Sequence, residues 1–318
     1  MIKRAILAFF ILLNGWASVS TARPFAFITN QSADPVSVID TGSFRVISEI
    51  PVGHRPAGVI TSHDGRRVYI SNPESQEISV IDTESLQVTG TVTIGEGPLA
   101  IEISPDDQNI YVADWYRNSI FVIDSTSLEV KQEILAGKAP AGLACCRDMR
   151  FLYVANRDDN TVAGIDIQSG DIIDVIPVGK APFGITLDPE KNFLYSANVQ
   201  DSTVSVIDLE KSETVATIKT GLFPYAIAVD PASDRLFITN QRSNDVTVVE
   251  RSDFSPVGTI EVGEYPEGIA VHPEQPHVYV ANWFDGTVSV IDTRSLDVIE
   301  TIATGEGSRA YGQFFSPR

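Results

Sequence analysis

Residues that carry chemistry are scarce in this sequence. It has four histidines, two methionines and two cysteines in 318 residues. The cysteines, Cys145 and Cys146, are adjacent and lack the C-x-x-C-H pattern of haem attachment, and two cysteines cannot build a disulfide-stapled scaffold. His54, His63, His272 and His277 show no spacing that argues a Ser–His–acid set. The "HPEQPH" stretch (272–277) offers two imidazoles without a third clear ligand, so a metal is not expected there. No glycine-rich phosphate loop leads into a helix, and helical periodicity is absent throughout. Basic residues are outnumbered, 23 Lys and Arg against 42 Asp and Glu. The resulting field repels polyanions and disfavours nucleic acid and anionic lipid.

What the sequence has in abundance is repetition. A short apolar run with a terminal Asn or Asp recurs as "FITN" (27–30), "YISN" (69–72), "YVAD" (111–114), "YVAN" (153–156), "YSAN" (195–198), "FITN" (237–240) and "YVAN" (279–282). Each copy starts 42 residues after the last, without insertion or deletion. A second anchor, mostly "SVID", follows nine residues on, and Gly recurs at 53, 95, 137, 179, 221, 263 and 305. Pro follows that Gly three residues later in six copies, and Ser308 replaces it in the seventh. Each unit reads as four strands, such as "GITLD", "FLYSAN", "TVSVID" and "ETVATIKTG", rich in Val, Ile and Tyr and bounded by Asp, Asn, Gly and Pro. Four-strand units of 40–45 residues are propeller blades. The expected fold is an all-β, seven-bladed β-propeller with four antiparallel strands per blade.

The first unit begins at its second strand, "FAFITN" (25–30), and the chain ends on a spare first strand, "RAYGQFF" (309–315). Pairing the two would complete the seventh blade and remove exposed sheet edges. Ahead of the propeller, "MIKR", "AILAFFILL" and "SVSTA" read as a secretory signal peptide cleaved after Ala22. Its apolar run is too short to span a bilayer. The expected domains are 1–22, a leader, and 23–318, a propeller, placed in the periplasm or outside the cell as a monomer. Removing Lys3 and Arg4 would take the net charge from −19 to −21.

The stretches "LYVANRDDNTVAGIDIQSGDIIDVIPVGKAPFGITLDPE" (152–190) and "VYVANWFDGTVSVIDTRSLDVIETIATG" (278–305) resemble the YVTN family of β-propeller repeat proteins. The length, leader and "GEGSRAYGQFF" ending resemble the subgroup found near pyrroloquinoline-quinone (PQQ) dependent alcohol oxidation systems. That resemblance implies association with such a pathway, not possession of the cofactor, and no cofactor is expected.

Residues repeated in every blade are read as structural, because Asn, Asp, Gly and Pro at strand ends form turns. Function is sought where the copies differ. Three variable columns surround the channel mouth formed by the loops between second and third strands and by the blade-to-blade turns. One holds Gln31, Pro73, Trp115, Arg157, Val199, Gln241 and Trp283. The residue before the turn proline is Arg55, Gly97, Ala139, Ala181, Phe223, Tyr265 or Gly307, and the residue after it is Ala57, Leu99, Ala141, Phe183, Tyr225, Glu267 or Arg309. Aromatic and Arg side chains are common binding anchors. Trp115, Trp283, Arg55, Arg157, Phe183, Phe223, Tyr225, Tyr265 and Arg309 are therefore the candidate binding residues, for a periplasmic protein or a small molecule. The alternative is that they pack on one another and cap the channel. No catalytic residue emerges, so the chain is expected to be a binder rather than an enzyme, with a lactonase-like hydrolase as the competing class. Cys145 replaces a core aliphatic and Cys146 a polar turn residue. Two free thiols and a strained vicinal disulfide both stay open.

Overall fold

In a computed structural model of the chain, residues 24–145, 150–188 and 190–316 are described. The leader and Cys146 lie outside these residues, so neither the signal-peptide reading nor the vicinal disulfide is addressed. Among the described residues there are twenty-seven strands in seven antiparallel sheets and no helix. The sheets form the seven blades of a β-propeller, each running from an inner strand at the channel to an outer strand at the rim.

The middle strands are the most buried. In blade 5, Phe193–Asn198 and Thr203–Asp208 are buried along nearly their whole length, while the outer strand Glu213–Lys219 alternates between covered and exposed residues. The central strands have a blade on either side, whereas the rim strand has one face and one edge in water. Between blades the apolar contacts are continuous, with Tyr69, Tyr111, Tyr195 and Tyr279 fully buried at equivalent positions.

The recurrent polar residues hold this geometry. Asn30, Asn72, Asn198, Asn240 and Asn282 each donate from Nδ2 to a Ser or Thr hydroxyl seven residues on, at 2.8–2.9 Å. Phe121 supplies no hydroxyl in blade 3, and there Asp114 replaces Asn and accepts from the Glu96, Gly97, Tyr116 and Arg117 backbone instead. The inner strands crowd the axis, and a Cβ at Gly142 would lie 2.3 Å from the Phe183 carbonyl. Only Gly or Ala occupies this column, at 58, 100, 142, 184, 226, 268 and 310.

The C-terminal segment closes the ring. Phe27 N donates to Phe314 O (2.9 Å), Ser316 N to Phe25 O (2.9 Å) and Arg309 N to Thr29 O (2.8 Å). On its other side Val59 N donates to Tyr311 O at 2.9 Å and Thr61 N to Gln313 O at 3.1 Å. The pairing runs through isolated bridges rather than a continuous ladder. Gly312, at φ 132°, bends the strand where a residue with a side chain would be strained.

Three buried ionisable groups lock the lower face, the one opposite the loops between second and third strands. Arg251 makes a two-pronged contact with Asp188 of the neighbouring blade, at 2.5 and 2.6 Å, and both side chains are buried. Burial would raise the Asp188 pKa, and the Arg251 guanidinium more than offsets that, leaving the carboxyl below the usual range. His272, just past the inner strand Pro266–Val271, is only 3% exposed. Its Nδ1 accepts from the Glu274 and Gln275 backbone at 3.0 and 2.9 Å, and Nε2 faces the Thr41 hydroxyl at 3.1 Å. Both nitrogens are thus occupied by the fold, which leaves no free lone pair for a metal.

Burial pushes the His272 pKa down to about 4 from 6.5. A depressed folded value means the unfolded chain binds the proton first, so stability should be full above pH 6.5 and fall as pH drops toward 4. The loss should be on the order of 3 kcal/mol for the full shift. His272→Asn keeps an acceptor but cannot titrate, so its melting temperature should be flatter between those pH values than wild type. Parallel pH profiles for the two proteins would refute this assignment.

Candidate functional site

The upper mouth of the channel is built by contacts between the variable columns. The backbone N–H of Trp115, Arg157, Val199, Gln241 and Trp283 bonds the carbonyl of Gly97, Ala139, Ala181, Phe223 and Tyr265, respectively. Each loop residue is thereby pinned beside the turn residue of its own blade. Arg55, Phe223 and Tyr265 hold left-handed backbone, at φ 55°, 60° and 59°. Bulky residues adopt that region at a cost of ~1–2 kcal/mol, in a column that also accepts glycine.

The candidate residues fall into distinct groups. Phe183 and Tyr225 stack, with centroids 4.3 Å apart, and Tyr311 packs against both. All three are buried, at 7%, 4% and 7% exposure, and they close the channel beneath the mouth. Arg309 reaches over this layer, bonding the Tyr225 hydroxyl and facing Glu267 at 3.0 Å. Glu267 also accepts from Gln241 Nε2 at 2.9 Å. Burial raises the pKa of the Glu267 carboxyl, while Arg309 and Gln241 work against the rise. Burial likewise drives the Tyr225 and Tyr311 hydroxyls far above their usual range, so both remain neutral donors.

Above the layer is an open pocket of about 480 Å³ lined by Gln31, Arg55, Pro73, Glu74, Gly97, Leu99, Trp115, Tyr116, Phe183 and Arg309. It brings together Arg55, Trp115, Phe183 and Arg309 from the sequence-derived set. Arg157 lies over the Trp115 ring at 5.6 Å, and Arg55 faces Glu74 at 3.4 Å. Trp283 does not line this pocket. It donates from Nε1 to Gln31 at 3.1 Å and packs with Tyr265 and Phe284 as a second aromatic group. Phe223 stands apart beneath Arg242, whose guanidinium lies 3.9 Å from the ring centre.

Sequence reasoning passed over Tyr116 and Phe284, which are 70% and 63% exposed beside the two tryptophans, and Tyr311. Tyr311 was detectable, since its column otherwise holds Val59, Ile101, Leu143, Ile185, Ile227 and Ile269. Among the described residues no group of three or more His, Cys, Asp or Glu is placed to hold a metal.

The comparisons with known proteins agree with this architecture. A model of the YNCE-like β-propeller family matches residues 61–148, and one of the seven-bladed β-propeller lactonase family matches 126–218 and 178–260. Each family covers less than half of the chain. No curated protein matches it. Among solved structures, Kuenenia stuttgartiensis hydrazine synthase is 24% identical over 84% of this chain and 92% of its own, with a TM-score of 0.76. A functionally unknown protein from Desulfotomaculum acetoxidans DSM 771 is 16% identical over 91% and 99%, with a TM-score of 0.79. Dihydro-heme d1 dehydrogenase NirN, in complex with DHE, is 14% identical over 89% and 74%, with a TM-score of 0.70. At these identities the structures establish the fold alone. The seven sheets, together with these partial matches, mark the chain as a seven-bladed β-propeller repeat protein. The lactonase match also corrects the expectation of a binder rather than an enzyme: residues 126–260 resemble an enzyme family, without fixing an activity.

Proposed function

We propose that the upper mouth binds a small molecule with a flat apolar body and hydrogen-bond acceptors at its edge. The observation that carries this is the open pocket in which Trp115, Tyr116 and Phe183 supply aromatic surface while Arg55 and Arg309 supply donors. The fold does not require tryptophan at position 115, because the same column accepts Gln31, Val199 and Gln241. The signal-like stretch at residues 1–22 supports export to the periplasm or out of the cell. The likeness of the "GEGSRAYGQFF" ending to the PQQ-associated subgroup supports a role accessory to alcohol oxidation. A protein presenting an aromatic side chain is the other occupant that this surface suits.

Trp115→Gln and Trp283→Gln should each alter stability by no more than about 1 kcal/mol. Trp115→Gln should cost ~2 kcal/mol or more in binding, the loss typical of a buried anchor. Intrinsic fluorescence titrated with flat aromatic carboxylates, PQQ included, reads binding, and thermal melting reads stability. Strong destabilisation with binding retained would make Trp115 a plug and move the site elsewhere.

The lactonase match over 126–260 favours a second reading, hydrolysis of a cyclic ester. A proton-release screen of γ- and δ-lactones tests it, and rates equal to buffer would remove it.

A further inference from the structure

The channel beneath the Phe183–Tyr225–Tyr311 layer opens at the opposite, lower face as a cavity of about 410 Å³. Its walls are mostly aliphatic, with Ile101, Leu143, Ile185, Ile227 and Ile269 repeating around the axis. Glu102 interrupts them. Its column otherwise reads Ile60, Ala144, Thr186, Ala228, Ala270 and Gly312, so nothing in the repeat calls for a carboxylate.

Three other polar side chains of the cavity are committed to the fold. Thr186 donates to the Ile227 carbonyl at 2.7 Å, Tyr311 to the Phe183 carbonyl at 3.3 Å, and His63 Nδ1 is held by Asp107 at 2.7 Å. Glu102 accepts only the adjacent Ile103 N–H, at 2.9 Å, and among the described residues no Lys or Arg forms an ion pair with it. The contrast with the other desolvated carboxylates is direct: Glu267 has Arg309 and Asp188 has Arg251, but no Lys or Arg is paired with Glu102. Glu102 is half-buried, and withdrawing an unpaired carboxylate from water is costly: desolvation pushes its pKa up to about 7, only partly opposed by the Ile103 N–H and by His63.

We propose that the lower cavity is a binding site for a small organic ammonium ion, with Glu102 as counter-ion and the ring of aliphatic side chains around the hydrocarbon part. The ligand would supply the positive charge that the fold withholds. The volume suits a compact aliphatic or cyclic amine. The other titratable groups facing Glu102 are His63 with its partner Asp107, Tyr111, Tyr311 and Cys145. A charged His63 would weaken cation binding and Asp107 would temper that. Binding should therefore strengthen as pH rises from 6 to 8 and Glu102 ionises.

The test is calorimetric titration of the full chain with cyclohexylammonium, set against its neutral counterpart cyclohexanol. We expect saturable binding, at least tenfold tighter for the cation and at least tenfold weaker in Glu102→Gln. Glu102→Thr, a residue the same column accepts at 186, serves as a second variant in case Gln disturbs folding. Trp115→Gln should bind the cation like wild type, which separates this site from the upper mouth. Equal affinity for cation and alcohol, unchanged binding in both Glu102 variants, or no saturation at millimolar ligand would each overturn the proposal. Lactone hydrolysis abolished by Glu102→Gln, with no ammonium uptake by wild type, would overturn it in favour of acid–base chemistry at the same carboxyl.

Discussion

A chain lacking residues 309–318 should lose most of its folding free energy and should not melt as a single cooperative unit. The deletion removes Tyr311, Phe314 and Phe315, which are 7%, 0% and 5% exposed. At ~1.5–3 kcal/mol for each large apolar side chain, the loss is about 5–9 kcal/mol. That rivals the entire net stability of an ordinary domain, about 5–15 kcal/mol. The deletion also strips hydrogen-bond partners from Phe27 and Thr29 on one side and Val59 and Thr61 on the other, and it leaves Glu267 buried without Arg309. Calorimetry and limited proteolysis provide the measurement. Phe314→Ala alone should cost ~3–5 kcal/mol, a graded check in a chain that still closes. A truncated protein with the wild-type melting temperature would sink the closure account.

The second large effect is expected at the lower face. Arg251→Ala should cost ~3–5 kcal/mol, because it strands the fully buried Asp188 carboxylate without its partner. Most of that cost is desolvation of the survivor rather than the worth of the pair. Removing both charges, as in Arg251→Met with Asp188→Leu, should therefore recover much of it. The pH dependence distinguishes the cause. In the wild type the Asp188 pKa is lowered, so the pair stabilises above 3.8 and the benefit fades as pH falls through the lower folded value. In Arg251→Ala the carboxyl protonates more readily, so the gap between the proteins should narrow in acid. Urea unfolding at pH 7 and pH 4 measures both. A deficit that stays constant between them would mean that Arg251 acts through packing alone.

The sequence made the blades legible because every blade meets the same physical demand. Asn30 and its equivalents must satisfy a strand end, and Gly305 and its equivalents must clear that Asn side chain, 2.7 Å from where a Cβ would stand. A demand repeated seven times prints a column. The Arg251–Asp188 pair is made once and joins residues 63 apart, which is not a multiple of the repeat. Its only trace is an arginine in a column that otherwise reads Thr41, Thr83, Ser125, Ile167, Leu209 and Thr293. Glu102 is visible in the same way, as an acid among small and aliphatic residues. The candidate mouth was legible as a set of columns but not as groups. Which aromatics share a pocket depends on side-chain direction across the ring. Thus Trp115 and Phe183 meet although they come from blades 3 and 5, whereas Trp283 turns toward Gln31.

The bonds that join Phe25 to Ser316 set the order of folding. Ser316 N reaches Phe25 O and Phe25 N reaches the Ser316 hydroxyl, across a sequence separation of 291. Other blades pair strands that are neighbours in the chain, so each can assemble from local contacts soon after its residues emerge. The first blade cannot: its innermost partner lies 291 residues further along the chain. Until the two pair, the inner edge of the Phe25–Thr29 strand stays open, and the chain is an arc with two unprotected ends. Contacts of long sequence separation form slowly and leave intermediates prone to association. Ring closure is thus the expected slow step. During it, one open arc can borrow the terminal strand of another, so refolding at high protein concentration is where exchanged dimers should form.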